Sequence, residues 1–257
     1  MINIRNLLCI LSFIGTAYHG FQIQTNAITI QQVFQDALVK TIGYLPDVKG
    51  CSRTDTGVHA LEYALSFKTD SDMPTERILY ALNYHLPKDI SVLSVEEKDE
   101  SFHARYSCIA KRYRYVMYND RIMDPFLVDR ALQIKKAIDC NSLNEAAQYF
   151  VGTHDFRPFA CSKNSREDTF RTVYSCHLYR EGKTVHFVVT ADGFLYNMVR
   201  IMVGTLLEIH SKRLEPEDIS RILETQIRIG RCVTAPAKGL YLDRVYYSPE
   251  EMNEQSS

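Results

Sequence analysis

The stretch Arg171–Thr190, RTVYSCHLYREGKTVHFVVT, decides the fold class. Two runs rich in Val, Thr, Tyr and Phe, Arg171 to Tyr179 and Thr184 to Thr190, flank Glu181-Gly182-Lys183. A glycine centred between two β-favouring runs predicts a β-hairpin, so these strands are antiparallel neighbours. Outward from it the same alternation recurs. Ala110–Tyr118 (AKRYRYVMY) puts Tyr113 and Tyr115 on one face and Arg112 and Arg114 on the other, the period of a strand. Strands are also expected around Tyr63–Phe67, Ser91–Val95 and Leu240–Tyr246.

Helices fill the intervals. Thr29–Ile42 spaces Ile30, Val33, Phe34, Ala37 and Leu38 along one face, with Thr29 as N-cap and Gly43 as stop. Pro74 opens a helix carrying Ile78, Leu79 and Leu82, and Pro216 another. Ser142 and Glu145 fit a capping box before Ala146, Ala147 and Phe150, with Gly152 just past the end. Leu195, Met198, Val199, Met202, Val203, Leu206 and Leu207 form an amphipathic stripe, and Arg200 lies about 100° from Val199, beside it. Strands and helices recur in both halves, so the expected class is α+β with a mostly antiparallel sheet. The expected domains are 1–107, 108–248 and a polar tail 249–257, with the boundary near Ser107 to Ile109 drawn from a change in charge.

Charge bounds the partner. The 257 residues carry 30 Lys and Arg against 31 Asp and Glu, a net charge of −1, which excludes a binder that holds polyanions by bulk charge. Locally the picture differs: Arg105 to Lys136 has 8 basic and 3 acidic residues, a strip against which an anionic ligand can sit. The seven cysteines, Cys9, Cys51, Cys108, Cys140, Cys161, Cys176 and Cys232, include no CxxC pair and fit reduced thiols in a cytosol. The apolar run Leu7–Ala17 reads as a buried first strand or as a signal peptide; it is too short to span a bilayer. There is no phosphate loop, GxGxxG, HExxH or deaminase zinc pattern.

What remains is GCSRTDTGVHA, Gly50–Ala60, where one acid, Asp55, stands among turn formers. Read alone, Asp55 fits an Asx-type turn, Arg200 a solvated arginine, Tyr113 core filling and His154 a capping histidine. Cys51 near His59 allows a thiol-nucleophile reading for a small-molecule enzyme.

Eight blocks in order change the weighing: GTAYHGFQ (15–22), RTDTGVHA (53–60), NYHLP (83–87), FHAR (102–105), KRYRY (111–115), GTHDF (152–156), FLYNMVR (194–200), and Ala235-Pro236 with Gly239–Leu242. In them the chain resembles the TruA-type tRNA pseudouridine synthases, from Ile4 to Tyr247. The run at Leu7–Ala17 is then the first strand of that family. Ser52, Thr56, Ile14 and Phe21 depart from its commoner residues without removing a catalytic group.

The resemblance implies a pseudouridine synthase fold of two similar α+β halves around a central active-site cleft. It implies an isomerase, free of cofactor and metal, that converts uridine to pseudouridine at positions 38, 39 and 40 of the tRNA anticodon stem-loop. It implies a cytoplasmic homodimer. Residue by residue, Asp55 is the catalytic nucleophile, Arg200 its partner, and Tyr113 packs on the target base; Arg53 braces the flipped nucleotide and Leu240 lines the pocket. The basic residues Arg105, Lys111, Arg112, Arg114 and Arg121 are expected to grip RNA, with Arg157, Lys163, Arg166 and Arg171 as a second group. A non-catalytic RNA-binding module on the same scaffold would lack Asp55, Tyr113 or Arg200; all three are present.

Overall fold

The computed structural model describes residues 4–161, 168–231 and 233–253, and the side chains of these except that of residue 253. The chain forms two compact units: residues 1–109 together with 242–257, and residues 110–241. The chain from Leu242 onward is therefore part of the first unit.

In the first unit, β1 (Arg5–Phe13) is followed by α1 (Ile30–Ile42), β2 (Lys49–Gly50), β3 (His59–Thr69), α2 (Thr75–His85) and β4 (Ile90–Lys98). β1 pairs antiparallel with β3 on one side and β4 on the other, and β2 pairs with β3. A strand flanked on both edges has no solvated backbone. Accordingly Leu7, Cys9 and Leu11 are fully buried and Leu8 nearly so, and the apolar run folds as this central strand.

α1 begins where the pattern predicts. The Thr29 hydroxyl accepts from Gln32 N, and Gly43 ends the helix at φ 89°, a left-handed conformation that favours glycine. The cap contributes about 1 kcal/mol. Ile30, Phe34 and Leu38, all fully buried, contribute roughly 1.5–3 kcal/mol each. The buried face therefore outweighs the cap in holding the helix.

The second unit runs β5 (Ala110–Tyr118), β6 (Leu132–Gln133), α3 (Cys140–Gln148), β7 (Gly152–Asp155), β8 (Phe170–Glu181), β9 (Thr184–Ala191), α4 (Met198–His210), α5 (Asp218–Thr225) and the start of β10 (Leu240–Tyr246); α6 (Pro249–Asn253) closes the described chain. Its sheet has the order β5-β9-β8-β7, antiparallel throughout, with β6 parallel to β5 at the margin. The α+β, mostly antiparallel expectation holds. The hairpin turns on Gly182 (φ 56°) and Lys183, between the paired Glu181 and Thr184.

Three local expectations need correction. α3 starts at Cys140, capped by Asp139, whose carboxylate accepts from Asn141 N and Ser142 N. Ser142 and Glu145 therefore lie inside the helix and form no capping box there. The acid at the true N-terminus caps two donors at once, three residues ahead of the serine that fits the capping-box pattern. Gly152 does not close α3 either; the helix ends on Tyr149, and Gly152 (φ 114°) opens β7. Finally, α4 carries no exposed face: Met198, Val199, Ile201, Met202, Val203, Gly204, Thr205, Leu206, Glu208 and Ile209 are all buried, and the other three residues are half-buried.

The outer edge of β8 is covered by α3. Asn144 Nδ2 donates to Leu178 O (2.7 Å), Leu178 N donates to Asn144 Oδ1 (2.5 Å), and Gln148 Nε2 donates to Cys176 O (2.8 Å). Side-chain amides thus stand in for a missing neighbouring strand. Asn144→Ala should lower the unfolding free energy by roughly 1–3 kcal/mol, seen as a reduced urea midpoint at unchanged slope.

Candidate active site

In the first unit, Asp55 sits on a loop braced by backbone contacts. Val58 N donates to Asp55 O (3.1 Å), closing a turn whose third residue, Gly57, has φ 77°. The bond that closes this turn is accepted by the Asp55 main-chain carbonyl. Phe21 N donates to Thr54 O (3.3 Å), and Gly57 N to Tyr18 O (3.3 Å). The Gly15–Phe21 segment thereby ties down both sides of Asp55.

Two glycines make that approach possible. A Cβ on Gly15 would stand 1.9 Å from Val58 O, and one on Gly20 (φ 83°) 2.3 Å from Thr54 O. Beneath the loop, Phe21 stacks on Tyr63 with centroids 4.2 Å apart. Thr54 and Val58 are buried, Asp55 is half-buried and Arg53 exposed. The half-buried Asp55 thus sits on a turn braced from both sides.

Cys51 and His59 are both wholly buried, and His59 Nδ1 accepts from Gly15 N (3.0 Å). This histidine is a strut of the loop. A thiol that must meet a substrate does not fit a site without exposure.

In the second unit, β5 and the start of α4 carry the other predicted residues. Tyr113, buried at 7% exposure, meets Phe194 edge-to-face at 4.9 Å. Arg200 lies in the first turn of α4 and is held from two directions: its Nε donates to Ala235 O (2.7 Å), and its Nη1 donates to Asn197 Oδ1 (2.8 Å). Ala235 N returns a hydrogen bond to Arg200 O (3.0 Å). The solvated-arginine reading therefore fails. The next carbonyl, Pro236 O, accepts from Tyr115 Oη (2.8 Å). Burial pushes the Tyr115 phenol well above its ordinary range, and the Arg200 charge pulls the other way, so the phenol stays a neutral donor.

Residues 230, 231 and 233–235 lie along one face of α4. Buried Glu208 accepts from Arg231 N through both oxygens (3.0 and 3.1 Å), and a Cβ on Gly204 would stand 1.8 Å from Val233 O. Arg200, Gly204 and Glu208 are spaced by four, so they share that face. This segment covers the face of α4 that lies beside the predicted apolar stripe. A Cβ on Gly239 would press on Tyr115 at 2.6 Å; the bare glycine lets the chain pass and sets Leu240, 5% exposed, directly after it.

The predicted site residues thus divide between the units: Asp55, Arg53 and Arg105 in the first, Tyr113, Arg200, Leu240, Lys111 and Arg112 in the second. Arg105 is exposed, its guanidinium 5.7 Å from the exposed Tyr106 ring; Lys111 and Arg112 are half-buried on β5. Arg157 pairs with Asp155 (3.5 Å). Arg171 is buried, bound to Phe170 O and paired with Asp168, so it is no surface cation as its grouping supposed. Lys163, Arg166 and Cys232 lie outside the described residues. His154 bonds Val151 O (3.0 Å), and among the described residues no group of three or more His, Cys, Asp or Glu could hold a metal. Asn197, Tyr115 and Glu208 escaped the sequence reading; an asparagine before a helix looks only like a cap.

With this geometry in hand, the comparisons with known proteins fall into place. A family model described as tRNA pseudouridine synthase matches residues 10–107 and 146–248. These spans include the Asp55 loop and the Arg200 helix, while Tyr113 falls between them. The protein named tRNA pseudouridine synthase A of Acetivibrio thermocellus is 44% identical over 243 residues, 95% of this chain and 100% of its own. That of Thermoanaerobacter sp. (strain X514) is 40% identical over 243 residues, 95% and 100%. That of Staphylococcus saprophyticus is 38% identical over 242 residues, 94% and 91%.

Gly20→Ala tests the loop. It should lower stability by roughly 2–3 kcal/mol, read by thermal unfolding, because the added carbon meets a main-chain carbonyl at a positive φ.

Proposed function

Because this chain belongs to the tRNA pseudouridine synthase family, we propose that it isomerises uridine to pseudouridine at positions 38, 39 and 40 of the tRNA anticodon stem-loop. The observation that carries the reading is the match itself, which runs through both the braced Asp55 loop and the Arg200 helix.

The reaction is balanced within the substrate. The C1′–N1 bond breaks, the uracil turns, C1′ bonds to C5, the C5 proton is lost and N1 gains one. No atom is added and no electron is transferred. One ionised carboxylate suffices for such chemistry, acting as nucleophile or as charge partner, and Asp55 has that role. Arg200 supplies the opposite charge; a planar guanidinium keeps a carboxylate ionised and sets its direction. Tyr113 offers a flat face for the base and a hydroxyl for proton transfer, and Leu240 an apolar wall. A base inside a stem is out of reach, so the nucleotide flips out at a cost of a few kcal/mol, with Arg53 bracing the gap.

Arg105, Lys111, Arg112, Arg114 and Arg121 hold the phosphates. We assign the active species as a homodimer working in the cytoplasm, in keeping with the resemblance; no described helix is long and apolar enough to cross a membrane.

Asp55→Asn should keep tRNA affinity and lose turnover by roughly 10³-fold or more, measured as tritium release from tRNA labelled at uridine C5. Wild-type turnover in that variant overturns the assignment of Asp55. Mapping pseudouridine in tRNA from a strain lacking the protein should show uridine at positions 38–40; full modification there overturns the substrate assignment. Affinity for tRNA should fall on the order of 100-fold between 50 and 200 mM salt, in filter binding, as counterion release from about four phosphate contacts requires.

A further inference from the structure

Asn197 precedes α4 at the position where an asparagine side chain ordinarily accepts from the second or third helical N–H. Here it makes no such cap bond. Its backbone is left-handed (φ 62°, ψ 8°), a conformation that few residues other than glycine tolerate and asparagine is among them. Its Oδ1 instead accepts from Arg200 Nη1 at 2.8 Å. The helix forgoes a cap and takes a strained residue, and what it gains is one bond to one guanidinium.

That bond and the one from Nε to Ala235 O fall on different nitrogens of one rigid plane. Bonds at both Nε and Nη1 bear on the direction of the plane as well as on its position. Ala235 is itself secured, since its N–H returns to Arg200 O and the segment leading to it is pinned to α4 at Gly204 and Glu208. The Asn197 contact comes from a side chain that can be exchanged without moving that segment.

We propose that Asn197 is a positioning residue for the isomerisation: its amide oxygen presets the plane of the Arg200 guanidinium before the substrate arrives. The inference rests on the reading of Arg200 as the counter-charge to Asp55. A preset cation stabilises developing charge without reorganising during the reaction, so its loss appears in the chemical step and not in tRNA binding.

Asn197→Gly separates the side chain from the backbone, because glycine adopts the left-handed φ freely while removing the acceptor. It should lower kcat for tritium release about 10- to 100-fold with KM for tRNA and the melting temperature unchanged. Asn197→Asp keeps an oxygen acceptor at the same place and tolerates the same backbone, and should retain most of the wild-type kcat. In an Arg200→Ala background, Asn197→Gly should cost nothing more.

A wild-type kcat in Asn197→Gly, with Arg200→Ala impaired, overturns the role of Asn197 and leaves that of Arg200 standing. So does a defect confined to KM or to melting temperature. Should the glycine variant not fold, a folded Asn197→Asp enzyme with collapsed kcat overturns the acceptor role on its own. A wild-type kcat in Arg200→Ala overturns the reading of Arg200 and this inference with it.

Discussion

The second unit is organised around a main-chain carbonyl, that of Ala235. It accepts the Arg200 Nε, its residue's N–H returns to the Arg200 carbonyl, and the carbonyl one residue on takes the Tyr115 hydroxyl. A helix, a strand and an irregular segment thus meet at two consecutive peptide units. An irregular segment has no ladder of its own, so its polar groups need partners from elsewhere. Here arginine, tyrosine and the buried Glu208 carboxylate provide them, and the same bonds that satisfy the segment also orient the side chains.

The first unit solves a parallel problem with fewer charges. The Asp55 loop is held by peptide groups of Gly15–Phe21 and by a histidine ring nitrogen, and the two chains approach so closely that no β-carbon fits at Gly15 or Gly20. Backbone-to-backbone bonds and the His59 ring together set the course of this loop, so Asp55 is carried on a fixed peptide.

Much of this was legible in the sequence, and the reasons are local. The hairpin at Gly182, the Thr29 cap, the Gly43 stop and the alternation of β5 each depend on a few adjacent residues, and all appear where expected. The failures depend on contacts distant in the chain. α4 reads as amphipathic because nothing near it announces that Arg231, Val233 and Ala235 pack on its other face. The start of α3 was misplaced because two plausible caps, Asp139 and Ser142, stand three residues apart and only the path of the chain chooses between them. Asp55, Tyr113 and Arg200 became visible through ordered motifs, since each alone has an ordinary structural use. Asn197 was hidden by its own typicality: its position before a helix explained it too readily.

The amide cover on β8 bears on how the chain reaches its native state. Asn144 and Gln148 can protect the strand only after α3 has docked, and α3 is a nine-residue helix, too short to persist unaided. Until then the β8–β9 hairpin displays a bare edge beside Val185, Phe187 and Val189, residues that are fully buried in the finished fold. Such an edge recruits any extended chain it meets, including another copy. Docking of one short helix thus closes an edge that would otherwise be open to pairing with another chain.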